Sequence, residues 1–292
     1  MAFRILSDFD GVWTDPAPEA REVEAGLVRR VAALVGRDAR EVAGEVALAR
    51  DLALREPALH GWTPGGRLTA YADEDAFLEI SGVASFLTHA DHELADRYRT
   101  LLRAVGGVDL MVLADEAFRE VGGTPGVGEI LPEGADVLRE LEELGVEMVV
   151  VSNSAPEKLV RLFGAIDVHA GENGDARVRI RGGARKWDLG EGEDAIDVRG
   201  RSVRVDRPHY RRIVEEVAPD LIVGDVFSLD LALPFHMRAS GVGTAPRFLV
   251  HRVPRGAKGW VAEHTSSGHV DAVAPRLADL PRIVRGFMAS RV

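Results

Sequence analysis

Cysteine is absent from the 292-residue chain, which excludes a disulfide framework, a thiolate metal site and a cysteine nucleophile. Lysine is almost absent: Lys158, Lys186 and Lys258 stand alone among 36 lysines and arginines. The positive charge is thus nearly all arginine, which reads as a genome-composition effect. Excess positive charge is missing as well. A net charge of -11 argues against a nucleic-acid surface, which carries a basic patch. Anionic small substrates stay open, because local field matters more than net charge. No apolar run approaches the length of a membrane span. Met1-Ala2-Phe3-Arg4 lacks a charged-then-apolar leader, so the expectation is a cytoplasmic protein with no membrane partner. There is no internal repeat and no low-complexity tract. What remains is ordinary globular composition, 46% apolar and 28% charged, in a length that suits a large domain or a core plus a second module.

The most informative stretch is Asp8-Phe9-Asp10-Gly11-Val12-Trp13-Thr14-Asp15. The short apolar run Phe3 to Leu6 precedes it and reads as a buried strand that stops at acid and glycine. Residues two apart on an extended strand point the same way, so an extended chain would project Asp8 and Asp10 together from the strand's carboxyl end. Gly11 permits a turn that a Cβ would resist. Two close carboxylates favour a divalent cation or divide their roles: one attacks while the other serves as acid and then base. A strand end with an Asx turn is the plainer alternative.

After Asp15 the pattern turns helical. Val23, Leu27, Val31, Leu34 and Val35 share a face up to Gly36, and Asp38 caps a second helix to about residue 56. The segment 60–66 is a loop by composition, and helices follow at about 75–87, 91–105 and 109–121. This helical, strand-poor block, 16–124, reads as an inserted module, with Gly122 to Gly128 as its linker. A helix from Leu131-Pro132-Glu133-Gly134 then leads to the strand Val146 to Val151, ending at Ser152-Asn153-Ser154. A helix follows over about 156–163. The polar stretch 167–206 reads as short strands or hairpins. Pro208 opens a helix to about 217, Leu221-Ile222-Val223 is a buried strand ending at Gly224-Asp225, and a strand (248–251) and a helix (280–288) close the chain. Alternating strands and helices imply an α/β, Rossmann-like parallel sheet with helices on both faces, built from 1–15 and 125–292.

Ligands of such sheets bind beyond the carboxyl ends of the strands. Three strand ends carry polar groups here: Asp8 and Asp10; Ser152 and Asn153; Asp225, with Asp230 a turn later. Four carboxylates, a hydroxyl and an amide suit Mg²⁺, which takes one or two carboxylates plus waters and phosphate oxygens. With these residues in place, the sequence resembles the haloacid dehalogenase-like (HAD) phosphohydrolases. Asp8 to Asp15 matches the family's first motif, Val149 to Asn153 the second, and Gly224-Asp225 with Asp230 the fourth. The third motif needs a basic residue, usually in Lys-Pro, and Arg207-Pro208 is the match. The helical insert resembles a class I cap, in which Trp62, Arg67, Tyr71 and Glu79 could read a substrate, although Trp62 and Tyr71 taken singly read as cover for the module's own core.

The resemblance implies that Asp8 is a nucleophile forming an aspartyl-phosphate and that Asp10 protonates the leaving alcohol and then activates water. Asp8, the carbonyl of Asp10 and Asp225 would hold Mg²⁺, with Asp230 in support. Ser152, Asn153 and Arg207 would bind the phosphoryl group. Asp10 favours phosphate-ester chemistry over dehalogenation, since a departing halide needs no proton. A small-molecule phosphate monoester is the expected substrate. A phosphomutase and a catalytically silent binding protein on the same fold are the alternatives. For the basic residue the choice lies between Arg207 and Lys186. Proline at the start of a helix places Arg207 near the strand ends, whereas Lys186 lies within the polar stretch, so Arg207 is expected.

Overall fold

The computed structural model of the chain describes residues 2–124, 128–253, 260 and 268–290. It divides into two compact units, Met1–Asp15 with Gly128–Val292, and Pro16–Val127. The middle of the expected linker, 125–127, lies outside the described residues.

The first strand, β1 (Phe3–Ser7), opens the first unit. The second unit holds α1 (Pro16–Val35), α2 (Ala39–Ala53), the two-residue strands β2 (Gly61–Trp62) and β3 (Ala70–Tyr71), α3 (Ala76–His89), α4 (Glu93–Ala104) and α5 (Leu110–Gly122). Aspartates at positions 38, 75 and 109 accept first-turn backbone N–H groups and fix three of these helix starts. A core of Val23, Leu27, Val46, Val83, Phe86 and Leu102 is its own and is separate from that of the first unit. Trp62 packs against this core and Tyr71 is buried. The short antiparallel pair β2–β3 escaped the sequence reading because two residues per strand leave no periodicity to detect.

The first unit continues with α6 (Gly134–Glu143), β4 (Val146–Val151), α7 (Pro156–Gly164), β5 (Ala170–Gly171), β6 (Val178–Arg181), β7 (Ala195–Val198), β8 (Arg201–Arg204), α8 (Pro208–Val217), β9 (Leu221–Gly224), α9 (Ala232–Ala239), β10 (Phe248–Arg252), β11 (Ala272–Ala274) and α10 (Leu280–Ala289). Seven strands form a parallel sheet in the order β11-β10-β9-β1-β4-β6-β5. The fold is therefore the α/β Rossmann-like class read from the sequence. The inner strands β4, with four valines, and β9, Leu-Ile-Val-Gly, are largely or fully buried, as strands covered on both faces must be.

The stretch 167–206 holds short strands and a hairpin, as read from the sequence, but two of the strands belong to the main sheet. Its first half supplies the parallel strands β5 and β6, and only β7–β8 is a hairpin. Val178-Arg179-Ile180-Arg181 alternates buried and half-buried side chains, the pattern of a one-sided antiparallel strand, because it lies one strand from the sheet edge. From β1 the chain moves outward to β4 and on to the edge strand β5, steps back to β6 between them, then returns to place β9 on the other side of β1. The order reverses there, and a crevice opens at such a switch point.

Candidate active site

The carboxyl end of β1 lies between those of β4 and β9. The strand ends at Ser7, and the Asp8 amide adds one further bond, to the Val223 carbonyl at 2.8 Å. The chain then turns: the Trp13 amide donates to the Phe9 carbonyl at 2.9 Å, and Gly11 takes a φ of +75°. The extended geometry expected through Asp10 thus stops at the first aspartate. Phe9, Val12 and Trp13 anchor the turn in the core, where Phe163 of α7 lies 5.5 Å from the Phe9 ring and 6.1 Å from the Trp13 ring.

The two aspartates face different partners. Asp8 Oδ1 accepts from Lys186 Nζ at 2.6 Å. Asp10 Oδ2 accepts from Ser152 Oγ at 3.1 Å and Ser154 Oγ at 2.9 Å, while its Oδ1 faces Lys158 Nζ at 3.1 Å. Ser154 and Lys158 were not read as site residues. The available signal was the scarcity of lysine: both described lysines are buried, one on each aspartate.

The basic residue at Asp8 is Lys186, not Arg207. Because β6 pairs with β4, the loop after β6 runs along the loop after β4. Ser152 N bonds Arg181 O, Gly183 N bonds Ser154 O, and Ala184 N bonds Ser152 O, at 2.9–3.0 Å. Asn153 Oδ1 then accepts the Lys186 amide at 2.8 Å. These bonds deliver the ammonium, 2% exposed, to Asp8 and to Asp230 Oδ1 at 2.5 Å. Arg207 does precede α8, but it is fully buried and donates from Nη1 to the Lys186 carbonyl at 2.6 Å. It supports the lysine from behind. Asn153, expected on substrate, has its side-chain oxygen engaged in fastening the Lys186 loop.

Asp225 follows β9, and Asp230 sits on one turn of π-helix, Phe227–Leu231. That wide turn folds Asp230 back so that its Oδ2 accepts the Val226 amide at 3.0 Å. Asp8, Asp225 and Asp230 each offer an oxygen within 4.8 Å of the others. The Asp10 carboxylate is outside this group. A Cβ on Gly11 would stand 1.8 Å from Asp225 Oδ2, so glycine is needed for the close approach as well as for the turn. Three hard oxygen donors around one point suit a divalent cation such as Mg²⁺.

The electrostatics agree. Burial and then Asp230 push the Asp8 carboxyl up to about 7, against the pull of Lys186. Burial alone would lower the Lys186 ammonium, but Asp230 and Asp8 outweigh it and hold it raised. His251 of β10, missed in the sequence, bonds the Asp225 carbonyl through Nε2 at 2.8 Å. Burial lowers its ring to about 4, so the neutral ring carries its proton on Nε2, because a carbonyl only accepts. Gly11→Ala combines the disfavoured left-handed backbone with displacement of Asp225. It is expected to lower the melting temperature and to raise by at least about tenfold the Mg²⁺ needed for half-maximal thermal stabilisation; an unchanged Mg²⁺ titration would contradict the cradle.

No protein-family model matches the sequence, and no curated protein matches it. Solved structures similar to the chain include a 2-haloacid dehalogenase from Pseudomonas syringae pv. Tomato DC3000, at 18% identity over 98% of this chain and 100% of that one, with a TM-score of 0.46. A HAD phosphatase from Thermococcus onnurineus is 14% identical over 97% of each chain, with a TM-score of 0.44. A haloacid dehalogenase-like family hydrolase from Streptococcus pneumoniae is 13% identical over 97% of this chain and 98% of that one, also at 0.44. Likeness at that level carries no argument about activity, which must rest on the chain's own side chains.

Proposed function

We propose that the chain is a HAD-like, Mg²⁺-dependent phosphatase that hydrolyses a small-molecule phosphate monoester through an aspartyl-phosphate. The observation that carries this reading is the division of labour at the end of β1. Asp8 lies against an ammonium and two further carboxylates, while Asp10, two residues on, is turned to a separate set of donors.

In the first step an Asp8 oxygen attacks phosphorus as the ester P–O bond breaks, and the Asp10 carboxyl gives its proton to the leaving oxygen. In the second, Asp10 takes a proton from water as the water attacks the phosphorus of the aspartyl-phosphate, returning Asp8 and releasing phosphate. Lys186 offsets charge on the transferring group and on Asp8, and Ser152 is assigned to bind that group's oxygens. Phosphoryl transfer asks the protein mainly for positioning and charge stabilisation. Bound at Asp8, Asp225 and Asp230, with the Asp10 carbonyl, Mg²⁺ would keep Asp8 ionised and neutralise phosphate charge. The helical unit Pro16–Val127 is read as the family's cap, whose task is to exclude water and select substrate.

A panel of phosphate monoesters assayed for phosphate release is the direct test. Chelation is expected to abolish release, Mg²⁺ to restore it, and Asp225→Ala to remove the response to Mg²⁺. Full turnover in excess chelator would end the metal-dependent reading. Conversion of a sugar phosphate to its isomer without free phosphate would move the reading to the phosphomutase alternative.

A further inference from the structure

Lys158 is a placement that local rules disfavour. It is the third residue of α7, where the helix dipole opposes a cation. Its side chain is only 6% exposed, so burial opposes the charge a second time. Its neighbours on the buried face of α7 are Leu159, Leu162 and Phe163. Two unfavourable choices at one position point to a compensating role, and the partner is in view: Nζ lies 3.1 Å from Asp10 Oδ1.

The mounting is rigid. Phe163, on the same helix, packs against Phe9 and Trp13, which flank Asp10 in sequence. Lys158 and the Asp10 turn are therefore fixed to one packed unit. Ser152 and Ser154 hold the other Asp10 oxygen, and Ser152 Oγ also accepts the Ser154 amide at 3.0 Å. Both carboxylate oxygens are thus set by groups from β4's end and α7, apart from the Asp8, Lys186 and Asp230 group.

We propose that Lys158 is a positioning residue for Asp10: it fixes the carboxyl in the orientation from which the leaving oxygen receives its proton. This rests on the phosphatase reading above and adds a residue to it. Lysine does what arginine would not in this place, since a compact ammonium reaches one oxygen without bringing a planar fork into the packed face of α7. The loss on removing Lys158 must follow the need for a proton. An alkyl phosphate needs its leaving oxygen protonated, and a p-nitrophenyl ester hardly does.

The test is alcohol release in a single turnover with enzyme in excess and Mg²⁺ present, which reads the first step alone. Asp10→Asn serves as the reference. Lys158→Met is expected to slow alkyl phosphate cleavage about 30-fold or more and p-nitrophenyl phosphate by less than about threefold. Substrate affinity should stay near wild type when rates are compared per folded enzyme, and no further loss should appear in an Asp10→Asn background. Should the methionine variant not fold, Lys158→Gln carries the same readout. Equal slowing of both esters, or a loss that multiplies with that of Asp10→Asn, would overturn the assignment. If the wild-type protein cleaves neither ester, the phosphatase reading falls and this inference with it. If the wild type and Asp10→Asn show the split and the Lys158 variant does not, the Lys158 role alone falls.

Discussion

Replacing Asp8 by asparagine is expected to reduce phosphate release by at least about four orders of magnitude, the scale on which removal of a covalent nucleophile acts. An amide is a poor nucleophile and a weak partner for a hard cation. The shape is nearly conserved, so folding should survive. The pH dependence of stability gives a second signature. In the folded chain the Asp8 carboxyl titrates near 7, raised from 3.8 by burial and then by Asp230. Between those values the unfolded chain has released the proton that the folded chain retains. Without metal, this group's contribution to stability therefore falls as pH rises from about 4 to about 7 and is level above. Asp8→Asn should flatten that slope when melting temperatures are compared in chelator. A variant that keeps near-wild-type turnover would refute the covalent mechanism, and one that keeps the slope would remove Asp8 as its source.

Lys186→Met is expected to have the second largest effect. Removing the ammonium leaves Asp8 and Asp230 close together in a buried place with no Lys186 between them. Breaking a buried pair by deleting one partner costs about 3–5 kcal/mol, and losing a preorganised charge at a transferring group costs about 10²–10³ in turnover. Activity should fall by at least that factor, and the stability loss in chelator should be larger at pH 8 than at pH 5, where protonation relieves the repulsion. Arg207→Met, which removes a bond to the Lys186 carbonyl, should show mainly as a lower melting temperature and lose less turnover in the fraction that remains folded. Phosphate release corrected for folded protein separates the two. A larger corrected loss for Arg207 would mean that its guanidinium, not the Lys186 ammonium, meets the phosphate.

Much of this protein is written locally. The 3.6-residue periodicity of α1 to α5 needs only neighbouring positions to be legible, and so does the valine run of β4. The same is true of Asp8 to Gly11, where chemistry, turn and strand end fall within four residues, and of Gly224-Asp225 at the end of β9. Which loop carries the cation to Asp8 is not local. Arg207 had the better local context, with proline at a helix start, yet the pairing of β6 beside β4 settled the matter by laying the next loop along Ser152 and Ser154. That pairing was hidden because a strand near a sheet edge alternates like one half-exposed to water. Lys158 and His251 were silent for a related reason: one lies on a helix and one on a strand, each where an apolar residue would be ordinary. The sequence alone determined the long helices, the inner strands and the aspartates at the strand ends. The tertiary structure decided which basic groups face them, because strand order and the loop contacts it imposes are set by side chains distant in sequence, and no single segment encodes them.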